Sequence, residues 1–132
     1  MTILALDHVA LTVRDLAASL RFYDELFGTV THAELLLDGR LLARQIRMGD
    51  AMLSLHQQGN GIDLVAKAPV PGAGDVCFQW GGTIGSAIEL LSRHGIAIVG
   101  GPAPRVNVNG VPGQSIYFRD PDENLLELMA AD

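Results

Sequence analysis

Four dispersed side chains are of the types that bind a divalent metal ion. Imidazole and carboxylate groups bind Zn²⁺, Fe²⁺, Mn²⁺, Ni²⁺ and Co²⁺, and a set of two histidines and one carboxylate leaves coordination positions open for substrate oxygens. No two of the four show the i, i+4 spacing of a metal-binding helix, so spacing alone favours ordinary structural roles over a metal site. The candidates are His8, His56, Asp75 and Glu127.

A repeat in the sequence indicates how these side chains could meet. The interval from His8 to Gly28 and the interval from Asp75 to Gly95 both span 20 residues, and each contains a strand pattern, a helix pattern and a glycine stop. The offset between them is 67 residues, about half of the 132-residue chain. A duplicated βαβββ unit is therefore predicted.

The repeat predicts an α+β fold in which two βαβββ modules form a cupped, barrel-like mixed sheet with helices on its outer face. At 132 residues the chain fits a single domain. The first module is expected at about residues 1–57 and the second at about residues 75–132. Residues 58–74 are polar and then rich in Pro and Gly, and are predicted to be a linker.

Hydrophobic periodicity and turn signals predict the elements of each module. The first module is predicted to contain a helix between an N-cap at Asp15 and a stop at Gly28, with strands at residues 5–13, 30–37, 41–48 and 51–56. The second is predicted to contain a helix at residues 83–94, with strands at residues 75–80, 96–99, 114–118 and 125–129. The Gly- and Pro-rich residues 100–113 are expected to form a loop at the mouth of the pocket.

Alternation along the strands collects polar side chains on the sheet face that the helices leave open. The leucines of the two last strands match, which makes Ser54 the repeat equivalent of Glu127 and places His56 on the same face as Ser54. The side chains expected to converge there are His8, Ser54, His56, Asp75 and Glu127, with Thr12 and Gln79 on the same face of the first strands.

Sequence motifs at both ends of the chain resemble one superfamily. LDHVALTVRDL at residues 6–16 and FYDELFG at residues 22–28 resemble the opening module of vicinal oxygen chelate proteins, which include glyoxalases, bleomycin resistance proteins and dioxygenases. YFRDPDENLLEL at residues 117–128 resembles their closing strand. The middle of the chain is most similar to glyoxalase-domain or virulence-type proteins. The resemblance covers essentially the whole chain, and its motifs are specific for the superfamily but not for a reaction.

The resemblance implies a divalent metal ion, Zn, Ni, Co, Mn or Fe, that chelates two neighbouring substrate oxygens and stabilises the charge that develops on them. By match to the motifs, its ligands include His8 and Glu127. Asp75 stands where His or Glu is usual, and its reach is shorter. Ser54 stands where glyoxalase I has a carboxylate, so a four-ligand set would require His56. Glu127 could also shuttle a proton, and Asp75 could be the base if it does not bind the metal.

Substrate contacts are expected from polar side chains on the open face and on the predicted loop. The role of Arg105 stays open: its side chain either contacts substrate or lies on the solvated surface. Arg119 is expected to brace the turn before Asp120. Glu123 occupies a turn position where Gly is usual, because Gly tolerates backbone angles that cost other residues energy. The expected substrate-binding residues are Thr12, Ser54, Gln79, Arg105 and Tyr117.

Four functions remain open. The first is a glyoxalase-type lyase or isomerase acting on a small α-oxygenated carbonyl compound. The second is an Fe²⁺ or Mn²⁺ ring-cleaving dioxygenase, in which either His56 or Asp75 joins His8 and Glu127 as the facial triad. The third is a metal-free drug-binding protein of the bleomycin-resistance type, for which the net charge of −6 suits a cationic ligand. A fourth, a thiol transferase acting on fosfomycin, would need a cationic pocket.

Composition argues against other classes of partner. The nine Lys and Arg residues are scattered in a chain of net charge −6, so the basic patch of a nucleic-acid-binding protein is missing. No apolar run approaches the ~20 residues of a membrane span, and the first residues lack a basic signal region, so a cytoplasmic protein is expected.

The single cysteine, Cys77, lies in an apolar run and is expected to be buried. A homodimer is expected, with the apolar residues 3–6 at the start of the first strand as a candidate interface.

Overall fold

The computed structural model describes residues 2–132, which fold as two compact units, the first ending at Ala73 and the second spanning Gly74–Asp132. Both units follow the order strand, helix and three strands. The first contains β1 (His8–Val13), α1 (Leu16–Phe27), β2 (Thr31–Leu37), β3 (Arg40–Met48) and β4 (Ala51–Gln57). The second contains β5 (Asp75–Trp80), α2 (Ile84–Arg93), β6 (Gly100–Val106), β7 (Pro112–Arg119) and β8 (Leu125–Ala130).

Each unit builds its own four-stranded mixed sheet, with strand order β1-β4-β3-β2 in the first and β5-β8-β7-β6 in the second. In both sheets the first and last strands run parallel, while the other neighbouring pairs are antiparallel. Parallel neighbours cannot be joined by a tight hairpin, and here the helix and two strands intervene between them. The predicted α+β class with two βαβββ modules is confirmed, and the strands of residues 2–132 pair as two sheets rather than as one closed barrel.

Capping residues set the ends of the helices where the sequence predicts them. The Asp15 carboxylate accepts a hydrogen bond from the N–H of Ala18 at 3.1 Å, and Gly28 ends α1 with a φ of +60°. Thr83 caps α2 by accepting from the N–H of Ser86 at 3.1 Å. Each helix buries one apolar face on its own sheet, formed by Leu16, Leu20, Tyr23 and Leu26 in α1 and by Ile84, Ala87, Leu90 and Leu91 in α2.

No helix within residues 2–132 is long and apolar enough to cross a membrane, and the cytoplasmic location stays a prediction.

The predicted strand at residues 96–99 is wrong, and the loop predicted within residues 100–113 is confirmed only for residues 107–111. The chain forms β6 at Gly100–Val106 instead. β6 is an edge strand that has β7 as its single neighbour, and a bulge interrupts its start. Proline lacks an N–H and is tolerated on edge strands, so Pro102 and Pro104 are compatible with a strand at this position.

The first strand begins later than predicted. β1 starts at His8, in register with Met52 of β4, rather than at residue 5. Residues 2–7 therefore lie outside any strand. Ile3, Leu4 and Leu6 are 73%, 98% and 76% exposed, so the candidate dimer interface is accessible but is not a strand edge. The homodimer stays a prediction.

A buried polar turn joins β7 to β8. One oxygen of the Asp120 carboxylate accepts from the backbone N–H groups of Asp122 and Asn124, both at 2.9 Å, and the other accepts from the Asn124 side chain at 2.8 Å. Glu123 adopts a φ of +66°, in the left-handed region that favours glycine. Arg119 donates to the Glu123 carbonyl at 3.2 Å, which confirms that Arg119 braces this turn.

Candidate functional site

The parallel pairing of β1 and β4 puts the polar candidates of the first unit on one face. Ala10 lies opposite Ser54, and the next pair on this face is Thr12 with His56. His8 lies two residues before Ala10 and therefore shares the same face. The other face of the sheet is the aliphatic one, on which α1 packs.

His8 is oriented by its neighbour in the chain. Its Nδ1 lies 2.7 Å from Asp7 Oδ1, and the two side chains are 45% and 81% exposed. Because an ionised carboxylate only accepts, Nδ1 carries the proton, and the lone pair of a neutral His8 lies on Nε2. Metal-binding histidines typically donate their second ring N–H to a carboxylate in this way. Asp7 is absent from the predicted set, and the available signal was an acidic residue directly before a candidate ligand.

His56 is a partly buried imidazole with one unused nitrogen. Its Nε2 lies 3.0 Å from Ser54 Oγ, whereas its buried Nδ1 has no hydrogen-bond partner within residues 2–132. Burial, followed by the charge of His8, lowers the pKa of His56, which keeps the ring neutral at neutral pH. When Nε2 carries the proton and donates to Ser54, Nδ1 presents a lone pair to a ligand.

Glu127 lies in the middle of a row of side chains across the second sheet. Cys77 of β5 is opposite it on one side and Tyr117 of β7 on the other. The pair Cys77–Glu127 occupies the same register position in the second sheet as the pair Ala10–Ser54 in the first. Each is the third residue pair between the two parallel strands of its sheet. The registers therefore confirm the predicted equivalence of Ser54 and Glu127.

The Glu127 carboxylate has an unpartnered oxygen and affects the ionisation of Cys77. Its Oε2 is buried and has no hydrogen-bond partner in the described part of the chain. The thiol of Cys77 donates to the Phe78 carbonyl at 3.9 Å. Partial burial of the thiol, then the charge and hydrogen bonding of Glu127 and the charge of Asp75, raise the pKa of Cys77 to about 12. The thiol is therefore protonated at neutral pH.

The prediction of a buried Cys77 is wrong, because the residue is exposed. Alternation along β5 explains this: Asp75, Cys77 and Gln79 are exposed, while the residues between them are partly buried. Asp75 and Gln79 lie one step to either side of Cys77 on the same face, opposite Leu125 and Met129. The second unit thus displays Asp75, Gln79 and Glu127 together, as predicted from the period of two.

The candidate ligands divide between the units. The first unit carries His8 and His56, and the second carries Asp75 and Glu127. Among the residues that the structure describes, no three His, Cys, Asp or Glu side chains of one unit are placed to hold a metal ion. His56 and Glu127 each have a buried polar atom without a partner, which costs free energy that a ligand can offset. Imidazole nitrogen and carboxylate oxygen are donors that fit a divalent first-row metal.

Arg105 and Tyr117 form a contact at the edge of the second sheet. Arg105 Nε donates to the Tyr117 hydroxyl at 2.9 Å, and the guanidinium carbon lies 5.6 Å from the centroid of the tyrosine ring. Arg105 was expected on a loop but lies on β6. The structure thus brings together two of the predicted substrate-binding residues.

A cleft of about 570 Å³ lies elsewhere, in the first unit. It is lined by α1, by the aliphatic face of β3 and by residues around them, including Leu20, Arg44 and Ile46. Ile46 is in register with Leu53, on the face opposite to that of His56. The cleft therefore contains none of the predicted site residues.

A family model described as "Glyoxalase/Bleomycin resistance protein/Dioxygenase superfamily" matches residues 5–128. The chain belongs to this superfamily. Glyoxalase domain-containing protein RDO1 of Mycosarcoma maydis is 36% identical over 128 residues, which cover 97% of this chain and 69% of RDO1. Virulence protein STM3117 of Salmonella typhimurium is 36% identical over 130 residues, which cover 97% of this chain and 85% of that protein.

Two solved structures have the same fold as this chain. The crystal structure of virulence protein STM3117 matches with a TM-score of 0.86 at 33% identity and covers 100% of both chains. The structure of lactoylglutathione lyase from Agrobacterium tumefaciens matches with a TM-score of 0.70 at 25% identity, over 98% of this chain and 96% of that one. The resemblance seen in the sequence is confirmed. Since the superfamily description names enzymes and a drug resistance protein, membership alone does not choose between catalysis and binding.

Proposed function

We propose that this chain is a divalent-metal-dependent lyase or isomerase of the glyoxalase type, acting on a small α-oxygenated carbonyl compound. The observation that carries the proposal is the Glu127 carboxylate, which has a buried oxygen without a partner in residues 2–132 and lies at the centre of its sheet. Leaving such an oxygen unpaired costs free energy, and metal binding would offset that cost.

His8, His56 and Glu127 are the proposed ligands of Zn, Ni, Co, Mn or Fe. Asp7 supports this role because it occupies Nδ1 of His8 and leaves Nε2 available. When bound, the metal supplies positive charge that stabilises negative charge on two neighbouring substrate oxygens. Metal binding at Glu127 would also relieve its unpaired oxygen.

Asp75 is the proposed general base, and Glu127 is the alternative. Asp75 is exposed on the same face as Glu127, so its carboxylate can take a proton from the carbon beside a substrate carbonyl and return it to the neighbouring carbon. Thr12, Ser54 and Gln79 are proposed to contact the substrate, because they share the faces of the proposed ligands.

Elemental analysis of protein purified without chelator tests the proposal. The parent should contain a divalent metal ion, and His8→Ala and Glu127→Ala should each lose it. His94→Ala and Glu25→Ala are matched controls, because both residues are exposed and lie on or beside the helices rather than on the sheet faces. Metal content that is unchanged in both His8→Ala and Glu127→Ala would refute the ligand assignment.

The same preparation separates the competing functions. Turnover of a hemithioacetal without O₂ uptake supports the lyase or isomerase, whereas O₂ uptake with a catechol supports an Fe²⁺ or Mn²⁺ dioxygenase. A parent protein that holds no metal even after reconstitution would favour a metal-free drug-binding protein, for which the net charge of −6 suits a cationic compound.

A homodimer is also proposed. Leu4 is 98% exposed beside two other exposed apolar residues, and burying such a strip against a second copy would remove apolar surface from water. Sedimentation velocity of the parent, Leu4→Glu and the control Lys67→Glu tests this. A dimer that persists unchanged in Leu4→Glu would exclude this strip as the interface.

A further inference from the structure

A cation without a carboxylate partner shares the sheet face of Glu127. Arg105 lies opposite Gly113 across β6 and β7. Tyr117, four residues after Gly113 on β7, lies opposite Glu127 on β8. Opposed residues share a face, and so do residues an even number apart along a strand. Arg105, Tyr117 and Glu127 therefore display their side chains on one side of the second sheet.

Arg105 is held in place by contacts that leave most of its donors unused. Nε donates to the Tyr117 hydroxyl at 2.9 Å, and Nη1 donates to the carbonyl of Pro104 at 2.7 Å. The position of the guanidinium beside the tyrosine ring adds a cation–π contact. Of the five N–H donors of an arginine, the two in these bonds are the ones used within residues 2–132. The remaining donors are available to a ligand.

This unpaired cation stands in an acidic unit. Residues 74–132 contain seven Asp and Glu residues, three Arg and no Lys. Arg93 lies in the last turn of α2, and Arg119 donates to the Glu123 carbonyl. Arg105 contacts a tyrosine and a backbone carbonyl instead of any of the seven carboxylates, so its charge is not neutralised by the described chain.

We infer that Arg105, positioned by Tyr117, binds an oxyanion of the substrate, a carboxylate or a phosphate, while the reacting oxygens of the same molecule lie at Glu127. A guanidinium offers parallel N–H donors that match two oxygens of either group. The inference rests on the proposed function and narrows its substrate class to α-oxygenated carbonyl compounds that carry an acidic group. Tyr117 is a positioning residue, since it acts through Arg105.

Titration of the metal-free protein with acetate and with inorganic phosphate tests the inference. Backbone amide signals of β6 and β7 are followed by NMR at constant ionic strength, with chloride as the reference anion. The amide signals of the parent should shift saturably with at least one of the two anions. The anion that binds more tightly indicates whether the acidic group of the substrate is a carboxylate or a phosphate. Arg105→Gln should raise Kd about tenfold to a hundredfold, as expected for a lost charge-assisted contact.

Three further variants make the result specific. Arg105→Lys keeps the charge but not the parallel donors, and its Kd should lie between those of the parent and Arg105→Gln. Tyr117→Phe removes the hydroxyl that holds Nε and should raise Kd about two- to tenfold. Arg93→Gln removes a charge from α2 and should leave Kd unchanged.

Parallel measurement of divalent metal binding separates this inference from the proposed function. Metal binding without a saturable anion shift, or an equal Kd in the parent and Arg105→Gln, overturns the anion site alone. Anion binding that depends on Arg105 in a protein that never binds metal supports the anion site and overturns the metal-dependent function.

Discussion

Replacing Glu127 by Gln should make Cys77 more reactive towards a neutral alkylating reagent. In the parent, partial burial of the thiol raises the pKa of Cys77 from 9.0 to about 12 together with Glu127, which contributes both as a negative charge and as a hydrogen-bond acceptor. Because the thiolate is the nucleophile, this shift corresponds to about a thousandfold less thiolate than for an unperturbed thiol at neutral pH. The chain has a single cysteine, so the reaction reports one site.

Alkylation of the metal-free protein by iodoacetamide, followed by intact-protein mass spectrometry across a pH series, measures this reactivity. In the parent the rate should rise about tenfold per pH unit and reach no plateau before about pH 11. Glu127→Gln should react faster at each pH below its plateau, which should move to lower pH. Asp75→Asn should increase the alkylation rate less, because the charge of Asp75 contributes least to the raised pKa of Cys77.

The control for this experiment is Glu25→Gln, which removes an exposed carboxylate from α1 and should alkylate at the parental rate. Two results would refute the placement of the Glu127 carboxylate beside the thiol. One is a plateau near pH 9 in the parent, and the other is an equal alkylation rate in Glu127→Gln and Glu25→Gln.

Three further changes have expected outcomes. Asp7→Asn removes the carboxylate that holds Nδ1 of His8 and should weaken Co²⁺ affinity about tenfold to a hundredfold in a spectroscopic titration; unchanged affinity would show that Asp7 does not orient the ligand. Glu123→Gly relieves a φ of +66° and should raise the free energy of unfolding by about 1 kcal/mol in guanidinium denaturation, whereas a lower midpoint would contradict the strain. Burial and the charge of His8 lower the pKa of His56 from 6.5, so the unfolded state binds more protons just below that pH. Stability should therefore fall as the pH drops below about 6.5, less steeply in His56→Gln than in the parent, and equal slopes would count against the shift.

The duplicated order of elements is predictable because its signals are local or periodic. Asp15 and Gly28 act on the backbone within one helical turn, and the structure uses both as caps. The matching leucines of the two last strands predict that Ser54 and Glu127 are equivalent, and the strand registers confirm this. A slip of one residue would turn every side chain of a strand to the other face, so the buried leucines alone constrain this register.

The sequence predicts less where a neighbouring strand decides the outcome. Pro102 and Pro104 indicate a loop, and only the edge position of β6 makes them compatible with a strand. Cys77 lies among apolar residues, yet its exposure follows from the face on which β5 presents it. Asp7 precedes β1, so alternation along the strand does not predict its hydrogen bond to His8.

The central claim is that His8 and Glu127 contribute to the binding of one metal ion. Co²⁺ affinity of the parent, His8→Gln, Glu127→Gln and the double variant tests it most directly. If one ion requires both side chains, each single substitution weakens binding strongly and the double variant binds little worse than either. Losses that add, or single variants that bind Co²⁺ as the parent does, would contradict the account.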